Sequence, residues 1–377
     1  NPGANEDGTE RGTSNSIYST NPYWAAYNFR NEDQKNRIIA SASLRYDILD
    51  WLFVTGRAGI DDYTRKSTSV TPWGTAYSPE GGMDENEQRY TQTDSDIMIG
   101  IDKDIIGKFA TSSFIGASNN TQTREQLKLN GNRFIVSDLE TVKNTKDQST
   151  QYGYSNQKMN SVYGSFELSY DKVAYVTVTA RNDWFSTLSA PGKTTPNNDL
   201  YTSINTSIIL SEAFEMPEWV NFAKFRGGYS QLAGGAPNPY SLGLSYGIFG
   251  QGHNGQPLGG ISNGSIPNGN LVPYNVEEFE VGLDARLFDG KLSVDLAYYD
   301  KTTTKDIVNV SASQTSGYGS SIANLGEISN SGFEMLISGT PIKTENFSWN
   351  TTFNFAVNNS EVVSTNDTNS DINLGQA

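Results

Sequence analysis

Few residue sets in this sequence are of types and spacings that could do covalent chemistry, and each lacks something its chemistry needs. Asp367, Asn369 and Asp371 repeat the first spacings of a calcium loop, but Ile372 stands where the sharp turn requires glycine. Gly250-Gln251-Gly252-His253-Asn254-Gly255 has the spacing of a dinucleotide fingerprint. It lies in a Gly/Asn/Pro-rich stretch with no strand before it and no helix after it, so the helix N-terminus that would hold a pyrophosphate is missing. Carboxylates are plentiful on polar strand faces, among them Glu167, Asp183, Glu280 and Asp295. Glycoside hydrolysis needs two of them at a fixed separation, and the simpler reading is polar lining. The chain has no cysteine and one histidine, His253. That excludes thiolate metal sites and cysteine nucleophiles, and leaves almost no material for His-ligated zinc or a Ser-His-Asp relay. No catalytic residue, metal ligand or cofactor is assigned, and no enzyme activity is expected.

Non-covalent recognition has better material. Trp73, Tyr77, Tyr240 and Tyr246 lie in polar connections, and Trp184-Phe185 closes a strand. Rings flanked by polar groups suit sugar faces and peptide side chains, so these six are the candidates for contact with a solute or a partner protein. Packing of the loops on themselves is the competing reading. The formal charge of −15 argues against a nucleic-acid partner, and is read as solvated loops.

The elements that must position these residues show as alternation with period two, repeated in pairs across short turns. Ile38, Ala40, Ala42, Leu44 and Tyr46 share one face, and after a turn Leu52, Val54, Gly56, Ala58 and Ile60 resume it. Val162–Tyr170 turns through Asp171-Lys172 into Ala174–Ala180, and Phe279–Leu287 turns at Asp289-Gly290 into Leu292–Tyr298. Phe333–Ile337 is expected to turn near Pro341 into Trp349–Val357. Ile97, Ile99 and Ile101 alternate clearly, but their partner Phe109–Ala117 fits either phase. Ile204–Leu210 leads to Phe225–Leu232 through a segment with room for a short helix. About twelve strands in about six hairpins are expected, each strand about ten residues long.

The connections between hairpins are long and polar: Thr64–Gln88, Ser118–Lys158, Asn182–Asp199, Ala233–Asn275 and Lys301–Leu325. Short turns alternating with long loops, and Tyr or Trp near strand ends (Tyr46, Trp51, Tyr63, Tyr170, Trp184, Tyr298, Tyr299), are the habit of outer-membrane barrels. The hydrophobic content of 36% and mean hydropathy of −0.52 suit such a wall, where only alternate residues meet lipid. No run approaches the roughly 18 apolar residues of a membrane helix. The fold expected is all-β: an antiparallel transmembrane outer-membrane β-barrel with short periplasmic turns and long extracellular loops. A sequence opening at Asn1 without a signal peptide is expected of a mature protein or an excerpt.

With the hairpins in place, the chain resembles the SusC/RagA-type TonB-dependent transporters of Bacteroidota outer membranes. The resemblance runs discontinuously from Asn21 to Val363. It rests on Asn21-Pro22-Tyr23-Trp24, Asp50-Trp51-Leu52, Ala180-Arg181-Asn182-Asp183-Trp184-Phe185-Ser186, Glu278-Phe279-Glu280-Val281-Gly282-Leu283-Asp284 and, most specifically, Asn324-Leu325-Gly326-Glu327-Ile328-Ser329-Asn330-Ser331-Gly332-Phe333-Glu334. Phe347-Ser348-Trp349-Asn350 and Asn358-Asn359-Ser360-Glu361-Val362 follow in the family's order. Phe185 stands where the family has a small residue, and Val272-Pro273-Tyr274-Asn275 departs from its usual run. The resemblance implies that residues 1–377 are part of a barrel of about 22 strands, without the plug domain and closing C-terminal strands. It implies import of an oligosaccharide or peptide, energised by TonB through the plug, with a SusD-like surface lipoprotein as lid and outer-membrane lipid around the wall. A non-energised porin or receptor is the alternative, and a secreted, soluble all-β glycan-binding protein a more distant one.

Overall fold

The computed structural model describes residues 2–249, 254, 256–262 and 264–364. The glycine-rich fingerprint, except Asn254, and the Asp367–Asp371 spacing lie outside the described residues. After helix α1 (Pro22–Asn28) come β1 (Arg30–Leu49), β2 (Leu52–Thr71), β3 (Gly82–Ile106), β4 (Phe109–Phe134), β5 (Thr145–Tyr170), β6 (Ala174–Phe185) and β7 (Asn198–Ile209). Helix α2 (Leu210–Ala213) then leads to β8 (Val220–Gly234), β9 (Tyr246–Phe249), β10 (Leu258–Ile261), β11 (Ser265–Ile266) and β12 (Tyr274–Leu287). The last elements are β13 (Leu292–Thr304), β14 (Ile307–Ser311), β15 (Ser320–Asn324), β16 (Glu327–Lys343) and β17 (Ser348–Ser364). Twelve strands form one sheet in the order β1-β2-β3-β4-β5-β6-β7-β8-β12-β13-β16-β17, with β1 and β17 at its edges. The other five form small sheets, β10-β9 and β11-β15-β14.

The short turns have the chemistry their sequences promise. Asp171 and Lys172 both take positive φ (51° and 60°), as a tight hairpin demands, and Phe288, Asp289 and Gly290 do so at 56°, 55° and 74°. Pro341 corrects one expectation. β16 runs through it to Lys343, and the register with β17 shifts between Gly339 and Ile342. A residue without an N–H is tolerated at such a bulge, and the turn comes only after Lys343.

The long connections need a larger correction. Thr64–Gln88 and Ser118–Lys158 are not loops: most of their length continues β2, β3, β4 and β5, leaving only residues 72–81 and 135–144 between strands. The outward register of β2 changes from Leu52–Ile60 to Asp62, Thr64 and Lys66, and that of β3 from Ile101, Ile99 and Ile97 to Ser95, Thr93 and Thr91. Past that level both faces are polar, so alternation disappears while the strand goes on. The apolar stretch of β2, Leu52–Ile60, is about nine residues long, the length a tilted strand needs to cross hydrocarbon.

The chain packs as two compact units. One comprises Asn1–Ala42, Arg57–Ser95 and Asn120–Gln157. Its small core is Val70, Met83 and Phe134, with Val142 against them. The other comprises Ser43–Gly56, Asp96–Asn119 and the chain from Lys158 onward. Its core lies in the long connections, where Phe185, Leu188, Leu242, Leu271, Ile307 and Ile322 pack together beside the β11-β15-β14 sheet.

Candidate functional site: the two faces of the wall

Cross-strand register sorts the second unit's side chains into two surfaces. Phe166, Val178, Ile204, Tyr229 and Phe279 are directly paired across β5, β6, β7, β8 and β12. Phe225, Leu283, Leu296, Met335 and Phe355 form a parallel row across β8, β12, β13, β16 and β17. Most of these side chains are exposed, with Val178 at 42% and Phe355 at 43%, while Leu283, Leu296 and Met335 are half-buried. An apolar surface this continuous and this uncovered needs a cover, and its alternation with a polar face along every strand is the pattern of a wall set in lipid. Aromatic pairs mark its short-turn rim: Phe109 with Tyr170 (4.9 Å between centroids) and Trp219 stacked on Phe288 (5.7 Å, 22°). The first pair settles β4, whose Phe109, Ile115 and Ala117 join the apolar register. Phe114 lies on the opposite face, edge-on to Tyr163 at 6.1 Å. The Trp219–Phe288 pair was not picked out from sequence, because neither residue sits in an alternating run.

The opposite face is a network of charges and amides. Arg226 donates to Asp284 (2.8 Å), Asp295 (3.2 Å) and Glu280 (3.4 Å), and its guanidinium lies against Gly282, so a side chain at position 282 would have to displace it. Arg181 donates to Asp183 (2.8 Å) and Ser161 (2.8 Å), and Tyr201 donates to the second oxygen of Asp183, a carboxylate only 3% exposed. Glu167 accepts from Thr177. A groove of about 270 Å³ runs over this face, lined by Tyr175, Asn205, Ser207, Lys224, Arg226 and Glu280 among others. Tyr299, expected near a lipid interface, belongs here too and donates to Asn358.

In the first unit the same polar register carries a four-layer stack across β1–β4. Lys35 lies 4.0 Å above the Tyr63 ring, Tyr63 stacks on Tyr90 at 5.2 Å, and the Arg124 guanidinium covers Tyr90 at 5.4 Å. Burial pushes the Tyr90 phenol above its ordinary range. Tyr63 is thus a polar-face residue and not part of an interfacial girdle. Around the stack, Arg37 holds Asp61 in a forked pair (2.7 and 2.5 Å), and Arg65 pairs with Asp33, whose carboxyl is held below the usual range by that hydrogen bond. Beyond it is a groove of about 460 Å³, lined by Asn31, Asp33, Ser69, Asn86, Gln126 and Lys128 among others.

The Asn21-Pro22-Tyr23-Trp24 motif folds as a clasp on the 72–81 connection. Asn21 caps α1 by accepting from Tyr23 N and Trp24 N, with Pro22 at the first helical position, where its missing N–H costs nothing. Trp24, 2% exposed, donates from Nε1 to Thr75 Oγ1 (3.0 Å). Glu10 ties the same pieces together, accepting from Asn21 N (2.6 Å) and Ala76 N (2.8 Å). Trp73 and Tyr77 stand half-exposed on the connection so held.

The other candidates fall in different settings. Phe185 is buried in the core of the long connections, while its neighbour Trp184 takes the face of Val178 and Ala180. Tyr240 is exposed with φ 66°, and Tyr246 is exposed at the start of β9, paired with Ile261.

Comparison with known proteins places the fold. Residues 1–376 match the family described as TonB dependent receptor-like, beta-barrel. TonB-dependent receptor P26 of Formosa agariphila is 26% identical over 215 residues, 56% of this chain and 21% of that protein. TonB-dependent receptor P39 of the same organism is 24% identical over 312 residues, 81% of this chain and 29% of that protein. The chain therefore spans less than a third of either relative. The solved structure of the RagAB peptide transporter superposes with a TM-score of 0.83 over 93% of this chain and 39% of that one, at 17% identity. The siderophore receptor PiuA of Acinetobacter baumannii does so at 0.55, covering 90% of this chain and 49% of that one at 15% identity. The apolar band is thus the lipid-facing wall of an outer-membrane barrel and the charged face its interior, and the chain belongs to the TonB-dependent receptor-like β-barrel family.

Proposed function

We propose that this chain is wall from a SusC-like transporter that imports an oligosaccharide or peptide across the outer membrane, driven through TonB. The observation that carries this is the inner face. It is lined from the short-turn end to the long-loop end by charged and amide side chains that hold one another in place, a surface for a polar solute in transit. The edges add to it. Among the described residues β1 and β17 each have one unpaired side, which hydrocarbon does not tolerate; this supports a wall that further strands continue at both. Contact with TonB through a plug, and a SusD-like lipoprotein at the extracellular mouth, belong to the same proposal. Trp73, Tyr77, Tyr240 and Tyr246 are its candidates for solute or lipoprotein contact, with Trp184 and Phe185 beside them.

The test is depletion of a mixed oligosaccharide and peptide medium by cells carrying the full-length transporter. Uptake of a solute that disappears on deleting the transporter, and again on removing TonB, is expected. Uptake that persists without TonB would favour a passive porin and overturn energised import.

A further inference from the structure

We propose that residues 210–219, the connection from β7 to β8, form a foot seated in the lipid headgroup layer at the short-turn rim, and that its carboxylates favour an aminophospholipid over an anionic lipid. This goes beyond the transport reading and is independent of the solute. The other short-turn connections, residues 50–51, 107–108, 171–173, 288–291 and 344–347, are two to four residues long, whereas this one has ten. Its extra length is anchored. Helix α2 packs against β8, and Ser211 Oγ accepts from Ala223 N (3.3 Å). Val220 N donates to Pro217 O (2.8 Å), and Phe288 N donates to Trp219 O (2.8 Å).

The apolar side chains of this segment continue the lipid-facing wall. Ala223 keeps the outward register of Phe225 and Tyr229, and is buried where α2 packs against β8. Phe214 is 63% exposed, and Trp219 and Phe288, stacked on each other, are half-exposed. The Trp219 indole N–H has no partner among the described residues. A ring with an apolar body and a free donor suits the boundary between hydrocarbon and headgroups. Lipid already covers the wall beside these rings, so the same cover serves both. Charge then selects among headgroups. Glu212, Glu215 and Glu218 are exposed, the segment has no Lys or Arg, and none of the three has a partner among the described residues. No other short turn holds more than one carboxylate, and neither Lys172 on the adjacent turn nor Lys224 on β8 makes an ion pair with them. Three unpaired carboxylates repel the net negative charge of phosphatidylglycerol and accept hydrogen bonds from the ammonium of phosphatidylethanolamine.

The experiment uses the full-length transporter, with any cysteine of its own replaced by serine, in phosphatidylcholine vesicles. These hold a fixed fraction of either phosphatidylethanolamine or phosphatidylglycerol with brominated chains. A bimane fluorophore on Phe214→Cys is quenched only by brominated chains in contact with it. Both lipids should quench it, brominated phosphatidylethanolamine the more strongly. In the Glu212→Gln/Glu215→Gln/Glu218→Gln variant the ratio of the two lipids' relative affinities should fall by at least about fivefold. Heat-shifted electrophoretic mobility reports folding. If the triple variant fails to fold, Glu215→Gln with bimane on Met216→Cys repeats the comparison and should give a smaller fall in the same direction. No quenching by either lipid puts residue 214 in water and overturns the foot, leaving the segment as a surface for a periplasmic protein. Equal quenching by the two lipids in the parent, or a preference unchanged in the variants, overturns the carboxylate assignment. Uptake by cells tests the transport reading separately from all of these.

Discussion

At the scale of single residues, the two faces of one strand should respond oppositely to the same substitution. Val178 and Phe353 lie on the apolar face, where arginine would have to reach out of hydrocarbon; Val178→Arg and Phe353→Arg should each cost roughly 2–4 kcal/mol near the midplane. Thr179→Arg and Asn354→Arg, one residue along and facing the interior, should leave folded yield in the outer membrane close to that of the parent. Equal losses at both pairs would mean that the faces are misassigned. Asp284, although on the interior face, is a poor tolerant control because it holds Arg226. Strand periodicity also separates Trp184 from Phe185. Adjacent residues point to opposite sides, so a sequence reading that treats them as one aromatic patch joins a lipid-facing ring to a core ring. A second residue-scale prediction concerns Asp147, on β5 well beyond the apolar band. The hydrogen bond from Arg133 holds its carboxyl below the ordinary value of 3.8. The pairing is therefore complete above the ordinary value and lost only as pH falls through the lower, folded one. Arg133→Gln should move the Asp147 titration midpoint, read by carbon NMR of the carboxyl, up toward 3.8. No movement would show that the pair does not form in solution.

At the scale of elements, legibility in the sequence depended on whether a strand separates two environments. The hairpins around Asp171-Lys172 and Asp289-Gly290 were readable because one face meets lipid and the other water, so hydrophobicity alternates. From Asp84 to Ser95, β3 has no aliphatic residue, yet it is strand, because cross-strand bonds such as Gln126 to Asn86 and Arg89 to Asp62 replace burial as the organising contact. A period-two search cannot see such a segment. The clasp on residues 72–81 was visible only as the Asn21-Pro22-Tyr23-Trp24 motif; its partners Glu10 and Thr75 carry no signal at that distance. It gives a sharp prediction. Thr75→Val removes the acceptor of a buried indole N–H, and should destabilise the clasp locally by roughly 1–3 kcal/mol. Hydrogen exchange at Trp24 and Ala76 should accelerate while β6 is unchanged; uniform acceleration would mean that the clasp has no independent stability. Topology can be tested on the same elements. Asn132→Cys and Asp138→Cys should react with an impermeant thiol reagent on intact cells, and Lys172→Cys only after the outer membrane is opened. The reverse pattern would invert the wall.

For the whole molecule, the decisive feature is the pair of edges. Among the described residues, the twelve-stranded sheet ends at β1 and β17 with a row of unpaired N–H and C=O groups at each side, and both strands carry the apolar register there: Ile38 to Tyr46 on β1, Trp349 to Val357 on β17. Water can satisfy an open edge, but lipid cannot, and each unpaired group left in hydrocarbon costs several kcal/mol. On the proposed reading, neighbouring strands of the barrel complete both ladders. This separates the membrane barrel from a soluble all-β protein more cleanly than composition does, since a soluble sheet would blunt its edges with charge or short strands. In the full-length transporter folded into outer membrane, the backbone amides of Ile38–Tyr46 and Thr351–Val357 should exchange as slowly as those of Val176–Ala180 in the middle of the sheet. Edge amides exchanging orders of magnitude faster than Val178 would mean that β1 and β17 face water, and the apolar rows would then need a protein surface, not a bilayer, to cover them.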